Sequence, residues 1–304
     1  MCEIFNAVEP DHLQTVEEML EEDLIREPHL RCAEFVAVRD GEIVAQIDYT
    51  QVAGMYHPQK FGIWPHVPLA TWQTGVQDAL YAHIRRELEP FDPIALYIMT
   101  RENRAHEIAW LTGLSFTEKQ RSWESHLDLE QFEPSAWSAQ LERIAAAGYS
   151  LKSLTQLEDT PQFRRDLYDC WLECRRDVPR TDATTEPTFE QFEKREFGSA
   201  YLLREGYFVA LNSGGHLVAT STLWRTDEDG VLDTGLTGTR RDHRAKGLGL
   251  ALKIAGLTWA KAQGYTQART WNEQNNTVML EINNRLGFVR QPAWIDYGLE
   301  LRQE

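Results

Sequence analysis

The chain repeats itself, and this repeat constrains the fold more than any other feature of the sequence. Three pairs of segments match at a nearly constant offset of 172 to 174 residues: 35–45 with 208–219, 75–80 with 247–252, and 114–116 with 286–288. The first pair has the pattern of a β-hairpin, with an Asp40-Gly41 turn in the first copy. Separated matches that keep one offset predict two copies of the same α/β fold.

Each copy reads as a hairpin, a further strand, a helix, a short strand, a second helix and final strands, which predicts an α/β class with a mixed sheet. We expect an N-terminal domain over residues 1–130, a linker helix over 131–148 and a C-terminal domain over 149–304. A length of 304 residues suits two domains of about 150 residues each.

Composition narrows the class of protein. Hydrophobic residues make up 42% of the chain, enough for two ordinary cores, and the sequence contains neither an 18-residue apolar run nor the pattern of a signal peptide. We therefore expect a cytoplasmic protein that does not enter a membrane. The net charge of −16 argues against a nucleic-acid partner. The four cysteines have no zinc-ligand spacing, so no metal site is predicted.

A basic run in the second copy is the clearest candidate for a ligand site. Residues 240–246 hold four fixed cations and one histidine against a single acid, and Gly247 and Gly249 follow where a helix is predicted to begin. Backbone N–H groups at a helix N-terminus bind anions, and glycine lets a phosphate approach closely. The glycines come too late in the repeat for a dinucleotide-binding fold, and no Gly-Lys-Ser/Thr of a nucleotide P-loop is present.

These residues resemble the GNAT acetyltransferase superfamily. The Arg-x-x-Gly-x-Gly at 244–249 looks like its pyrophosphate motif, and an Asn-led helix that ends in Gly-Phe, residues 276–288, looks like its second signature. The resemblance covers 208–288 well and the first half in outline. The tandem layout is similar to that of mycothiol synthase and related two-copy acetyltransferases.

The resemblance implies that acetyl-CoA binds in the C-terminal copy, between two parallel strands that splay apart. The backbone of Thr237, Gly238 and Thr239 would pair with its pantetheine arm, and Asn276 would lie beside it. The residues implied for the pyrophosphate are Arg244, Ala245, Lys246, Gly247, Leu248 and Gly249.

The first copy departs from the motif at the positions that matter. Trp72 replaces the cation, Gln77 replaces the second glycine, and Arg104 stands where Asn276 does in the second copy. We therefore expect the first copy to have lost acetyl-CoA and to serve as a structural partner or as a wall of the acceptor site.

Catalytic residues are less clearly indicated. Asp233 is the one acid on the strand that leads to the phosphate loop, and it is our candidate base, although pairing at the strand start would also explain it. The tyrosine that commonly serves the family as acid is replaced by Asn283. Thiolate protonation would then come from water or from Tyr297, so the general acid stays open.

We expect acceptor contacts from Arg175, Asp177 and the irregular loop to about residue 187, although a plain surface loop would look similar. The predicted activity is transfer of acetyl from acetyl-CoA to a primary amine of a small molecule by direct attack, in a monomer or homodimer. The alternative is a non-catalytic acetyl-CoA sensor or scaffold. The identity of the amine and the acyl-chain preference are not predicted.

Overall fold

A computed structural model describes residues 1–302, with only the backbone described for Glu22 and Ile25. The chain forms two compact units. Unit 1 comprises Met1–Arg121, Thr181–Thr185 and the segment from Pro292 onward, and unit 2 comprises Ser122–Arg180 and Glu186–Gln291. None of the described helices is long and apolar enough to cross a membrane.

Unit 1 is built on a mixed sheet. Its strands are β1 (Cys32–Arg39), β2 (Glu42–Thr50), β3 (Lys60–His66), β4 (Ala95–Arg101), the first part of β5 (Thr117–Asp128) and β12 (Trp294–Glu300). Its helices are α1 (Cys2–Val8), α2 (Val16–Ile25), α3 (Leu69–Trp72), α4 (Val76–Leu88) and α5 (Ala105–Gly113). Strands β3 and β4 are parallel, whereas β1–β2, β2–β3 and β4–β12 pair antiparallel. The apolar face of α4 packs on this sheet around Ile47, Phe61 and Ile84.

Unit 2 repeats the plan. Its strands are the 122–128 part of β5, β6 (Ser150–Ser153), β7 (Phe208–Leu211), β8 (Leu217–Arg225), β9 (Val231–Thr239), β10 (Gln267–Glu273) and β11 (Val289–Arg290). Its helices are α6 (Ser138–Ala146), α7 (Pro161–Arg175), α8 (Phe189–Phe192), α9 (Leu248–Ala262) and α10 (Thr277–Leu286). The parallel pair here is β9–β10, and β10 also pairs antiparallel with β5.

Local signals in the sequence predicted many of these elements correctly. The first hairpin turns at Asp40 (φ 53°) and Gly41 (φ 85°), as an Asp-Gly pair favours. Helix α9 is followed by Gly264 (φ 88°), and Asn276 caps α10 by accepting from the N–H of Met279 at 3.4 Å. The predicted connecting helix is α6, which is followed by Gly148 at φ 83°.

The compact units divide the chain differently from the predicted domains 1–130, 131–148 and 149–304. Strand β12, from the second repeat, pairs with β4 in unit 1, whereas the 122–128 part of β5, from the first repeat, pairs with β10 in unit 2. Each unit therefore takes one strand from the other repeat. Strand pairing depends on backbone hydrogen bonds between distant segments, so the repeat pattern alone does not decide which sheet a strand joins.

Candidate functional site

The predicted phosphate loop has the backbone of an anion site. Gly247, at φ 84°, precedes the first residue of α9, and no side chain that the structure describes caps this helix. The N–H groups of its first turn have no partners in the helix, and the helix dipole places partial positive charge there. A Cβ at Gly249 would make only ordinary contacts, the nearest being Thr237 Cγ2 at 3.8 Å, so the backbone stays approachable at this position.

Neighbouring elements of unit 2 hold this loop in place. The Nε of Arg244 donates to the carbonyl of Thr239 at 3.0 Å, and the Nζ of Lys246 donates to the hydroxyl of Tyr149 at 2.9 Å. Ala245 has φ 60°, a left-handed conformation that is uncommon for a non-glycine residue. The structure thus brings together the residues predicted from 244 to 249 in one ordered turn.

Strands β9 and β10 separate as the splay predicted from the resemblance requires. They pair only at 231–233 with 267–269, although β9 continues to Thr239 and β10 to Glu273. On its other side, β9 carries a bulge against β8, since Ser221 pairs with Thr237 but Leu223 pairs with Thr234. A bulge leaves one residue unpaired in the ladder, so this part of β9 has backbone groups available to a ligand.

A cavity of about 330 Å³ opens between the splayed strands. Its walls come from α7 and the loop after it, the π-helical turn Glu193–Phe197, β8, β9, α9, β10 and the start of α10. The lining residues are Trp171, Arg175, Val178, Arg180, Glu196, Thr222, Trp224, Thr234, Gly235, Leu236, Thr237, Lys253, Thr270, Trp271, Asn272, Glu273, Asn276 and Met279. Its size falls at the lower end of the range typical of small-molecule sites.

Glu196 is the acid in this cavity with the most altered ionisation. Burial raises the pKa of its carboxyl to about 7, only partly offset by the charge of Arg195. Its Oε2 atom is buried and has no hydrogen-bond partner among the described residues. The residue lies in a π-helical turn, a backbone irregularity that is common at functional sites. A carboxyl with a pKa near neutrality is suited to accept a proton.

Lys253 provides an amine at the point where β9 and β10 begin to separate. Its Nζ lies 3.5 Å from Thr234 Oγ1 and 3.4 Å from Thr270 Oγ1, the residues just beyond the last β9–β10 pair. It also lies 5.2 Å from the ring centroid of Phe288. Burial lowers the pKa of this lysine to about 7. The side chain can therefore exchange a proton near neutral pH.

The two predicted catalytic residues are engaged in other contacts. Asp233 accepts from the Nε of Arg269 at 2.8 Å, and Arg269 also donates to Glu228 at 2.6 Å, so the carboxylate belongs to an ion-pair network. Tyr297 lies on β12 in the core of unit 1 beside Ile295, whereas all the described residues that line the cavity belong to unit 2. These contacts add no support for either catalytic role, and both stay predictions.

Asn283 does not take the place of the family's tyrosine. It is 3% exposed, and its Nδ2 donates to Asn272 Oδ1 at 2.5 Å. Asn272 lines the cavity, but Asn283 does not. The contact orients Asn272 and gives no acidic proton to the site.

The two predicted acceptor residues lie apart. Arg175 lines the cavity, whereas Asp177 accepts from Arg241 at 2.8 Å and also pairs with Arg244. These cations hold the pKa of the Asp177 carboxyl at about 2. Residues 181–185 of the same loop pack within unit 1, where Asp182 accepts from Lys60 at 2.8 Å.

The equivalent loop of the first repeat has the same backbone but different side chains. Gly75, at φ 76°, precedes α4 as Gly247 precedes α9. Trp72 is buried against His106 and Trp110, with centroid distances of 4.8 and 5.6 Å. Arg104, in the position of Asn276, donates to Glu9 at 2.6 Å. An indole thus occupies the place of the loop cation.

Sequence reasoning missed Glu196, Lys253 and Arg180. Lys253 had a detectable signal, because it is a lone cation in an otherwise apolar stretch of α9. Glu196 lies in the charged run at 193–196 and had none, since nothing in that run shows which side chain is buried. Arg180 lies in the predicted acceptor loop but was not distinguished from its neighbours.

Comparison with known proteins agrees with this geometry. Residues 161–288 match the model of the Acetyltransferase (GNAT) family. The mycothiol acetyltransferase of Actinosynnema mirum is 30% identical over 95 residues, 31% of this chain and 32% of that protein. The one from Saccharopolyspora erythraea is 26% identical over 121 residues, 40% of this chain and 38% of that protein. The matched stretches span about a third of the length of these relatives.

Solved structures match over the whole chain. A tandem GNAT protein from the clavulanic acid biosynthesis pathway has a TM-score of 0.76 at 19% identity, covering 100% of this chain and 94% of its own. A GCN5-related N-acetyltransferase from Sphaerobacter thermophilus has a TM-score of 0.72 at 16% identity, covering 99% and 92%. The protein therefore has the mixed α/β fold of a tandem GNAT protein, which confirms the two-copy fold predicted from the repeat and the fold implied by the resemblance.

Proposed function

Because residues 161–288 match the GNAT acetyltransferase family, we propose that this protein transfers acetyl from acetyl-CoA to a primary amine of a small molecule, by direct attack of the amine. One observation carries the proposal. The cavity lies between the splayed parts of β9 and β10, and the uncapped helix N-terminus at Gly247 directly follows β9 and its loop. An anion site beside a slot between strands suits a pyrophosphate that carries an extended arm.

The residues present fit this group. The backbone from Arg244 to Gly249 would hold the pyrophosphate at the helix N-terminus, with the cations adding charge. The unpaired edge of β9 at 237–239 would bind the arm as an added strand, and Asn276 at the cavity wall would lie beside it. When bound, acetyl-CoA supplies an activated acetyl group as a thioester.

Three groups at the cavity support acetyl transfer. Glu196 would accept the proton of the incoming ammonium, in place of the predicted Asp233. A backbone N–H freed at the β9 bulge would stabilise developing negative charge on the carbonyl oxygen. Lys253 would give a proton to the departing thiolate, a role that Asn283 cannot fill.

Calorimetric titration of acetyl-CoA tests the cofactor site. We expect one site per chain, with binding lost in Gly249→Gln and Arg244→Trp, which copy the side chains that the first repeat carries. Gly113→Gln and Arg86→Trp are matched controls, because both positions are exposed in helices of unit 1. Undiminished binding in Gly249→Gln and Arg244→Trp would show that acetyl-CoA binds outside this loop.

Turnover separates the enzyme from the alternative, a sensor or scaffold. Release of free CoA in the presence of an amine panel supports the transferase. Stoichiometric binding of acetyl-CoA without release of CoA with any amine would favour the sensor. Absence of binding would refute both and leave a two-copy scaffold.

A further inference from the structure

Two arginines lie on the wall of the cavity that is built by α7 and the loop after it. Arg175 is the last residue of α7, and Arg180 lies five residues on, in the irregular segment. Trp171 lies on the same wall, with the Arg175 guanidinium 5.6 Å from its ring centroid. The wall thus presents two planar cations and an aromatic ring to the cavity.

The two cations are half-buried and repel each other. Burial lowers the pKa of Arg175, and the charges of Arg180 and Arg195 lower it further. Burial also lowers the pKa of Arg180, only partly offset by Glu273. Both guanidiniums stay charged at neutral pH, since arginine is not deprotonated in proteins. Holding two like charges this way costs free energy that a bound anion would offset.

One hydrogen-bond donor on this wall, on Arg180, is not used by the described part of the protein. The Nε of Arg180 is buried and has no hydrogen-bond partner among residues 1–302. Two nearby carboxylates pair with other arginines. Glu186 accepts from Arg176 at 2.5 Å, and Asp177 accepts from Arg241 at 2.8 Å. A buried donor without a protein partner in the described chain is available to a ligand.

The same cavity also contains an acidic group. Glu196 presents a buried carboxyl whose Oε2 also has no hydrogen-bond partner in the described part of the chain. An acceptor that satisfies both sides carries a positive or proton-donating nitrogen for Glu196 and a negative group for the arginines. A guanidinium matches a carboxylate in planar, bidentate geometry, and the small cavity suits a compact molecule.

We propose that the acceptor is a small amine that also bears a carboxylate, with the carboxylate bound by Arg175 and Arg180 and the amine facing Glu196. The inference rests on the acetyl transfer proposed above. It narrows the acceptor from amines in general to amino acids and related acidic amines, and it makes Arg180 a specificity-determining residue.

Matched acceptor pairs test the proposal. A panel of α-, β- and γ-amino acids is offered to the full-length protein with acetyl-CoA, each beside its carboxamide, which lacks the negative charge. We expect the best acid to exceed its amide about 10- to 100-fold in kcat/KM. In Arg180→Gln this preference should fall to a few-fold, through KM more than kcat. Arg180→Lys should retain part of this preference, because lysine keeps the positive charge but lacks the two parallel N–H donors of a guanidinium.

Arg176→Gln is the matched control. Arg176 is exposed on the adjacent turn and pairs with Glu186, so its loss should leave the preference unchanged. Equal rates for acids and amides, or an unchanged preference in Arg180→Gln, would refute the proposal while leaving acetyl transfer intact. Weakened binding of acetyl-CoA itself in Arg180→Gln would also refute it, since the arginine would then belong to the cofactor site.

A binding measurement separates this inference from the proposed function. If no amine releases CoA, calorimetry of the same acids and amides with the protein still tests the anion site. Binding of an acid but not of its amide, abolished in Arg180→Gln, supports the site without turnover. Absence of binding by every acid refutes it.

Discussion

The carboxylate of Asp177 pairs with the guanidinium of Arg244, the arginine that begins the phosphate motif. The same carboxylate accepts from Arg241 Nη2 at 2.8 Å, while the Arg241 N–H donates to Glu173 at 2.8 Å. Acids from α7 and the residues after it thus cover the cations of the loop. A bound pyrophosphate would compete with Asp177 for both arginines.

We predict that Asp177→Asn tightens the binding of acetyl-CoA about 2- to 5-fold, because a competing anion is removed from a partly exposed pair. The arginines hold the pKa of Asp177 at about 2, so the carboxylate is charged throughout pH 5–8 and the gain should not vary across that range. Calorimetry at pH 5.5 and 7.5 measures it, with Glu186→Gln as control. Weaker binding would show instead that Asp177 holds the loop in its binding shape.

We predict that Glu196→Gln lowers kcat/KM for the amine about 10²- to 10⁴-fold, the range typical of a lost general base. Since the pKa of Glu196 is about 7 and the deprotonated form accepts the proton, the wild-type rate should fall as pH drops below 7. That limb of the profile should vanish in the variant, while the Kd of acetyl-CoA should not change. Glu193→Gln, in the same turn but paired with Arg164 at 3.2 Å, should behave as wild type.

We predict that Lys253→Met raises stability and lowers turnover. Burial lowers the pKa of Lys253 to about 7, so between pH 7 and about 10 the unfolded chain binds a proton that the folded chain lacks. The free energy of unfolding therefore rises with pH over this range. Below pH 7 the lysine is charged in both states, and the full free-energy cost of burying the charged ammonium applies. Urea unfolding should show a gain of roughly 2–4 kcal/mol at pH 6 and little at pH 10.

Lys261→Met, on the same helix, is the control for this effect. Its Nζ donates to the carbonyls of Glu130 and Phe132 at 2.8 and 2.7 Å, so its loss should bring no gain at either pH. A gain from Lys253→Met that is the same at pH 6 and pH 10 would contradict the linkage, and unchanged turnover would exclude Lys253 as the proton donor.

We predict that Gly238→Ala destabilises the protein by about 1–3 kcal/mol, because a Cβ there would lie 2.4 Å from the Cβ of buried Cys174 on α7. Gly249→Ala is the matched substitution, since its Cβ would meet Thr237 at an ordinary 3.8 Å. Denaturant unfolding should show no loss in the second variant. Absence of a loss in Gly238→Ala would mean that α7 yields to the added methyl group.

The sequence predicted the features that depend on neighbouring residues. The repeat with its constant offset indicated the tandem fold, which the structural matches confirm. Turn and cap residues such as Gly41 and Asn276 indicated where elements begin and end, because backbone conformation there is set by one or two side chains. The Arg-x-x-Gly-x-Gly spacing indicated the ordered loop before α9 for the same reason.

Only the tertiary structure decided which distant groups meet. It placed β12 beside β4, paired Asp233 with Arg269, set Asp177 on the loop arginines and buried Glu196 and Lys253 in the cavity. Strand pairing, ion-pair choice and burial depend on contacts between residues far apart in the chain. Burial in turn brings the pKa of Glu196 and Lys253 near neutrality, so the acid–base roles proposed for them depend on folding rather than on local sequence.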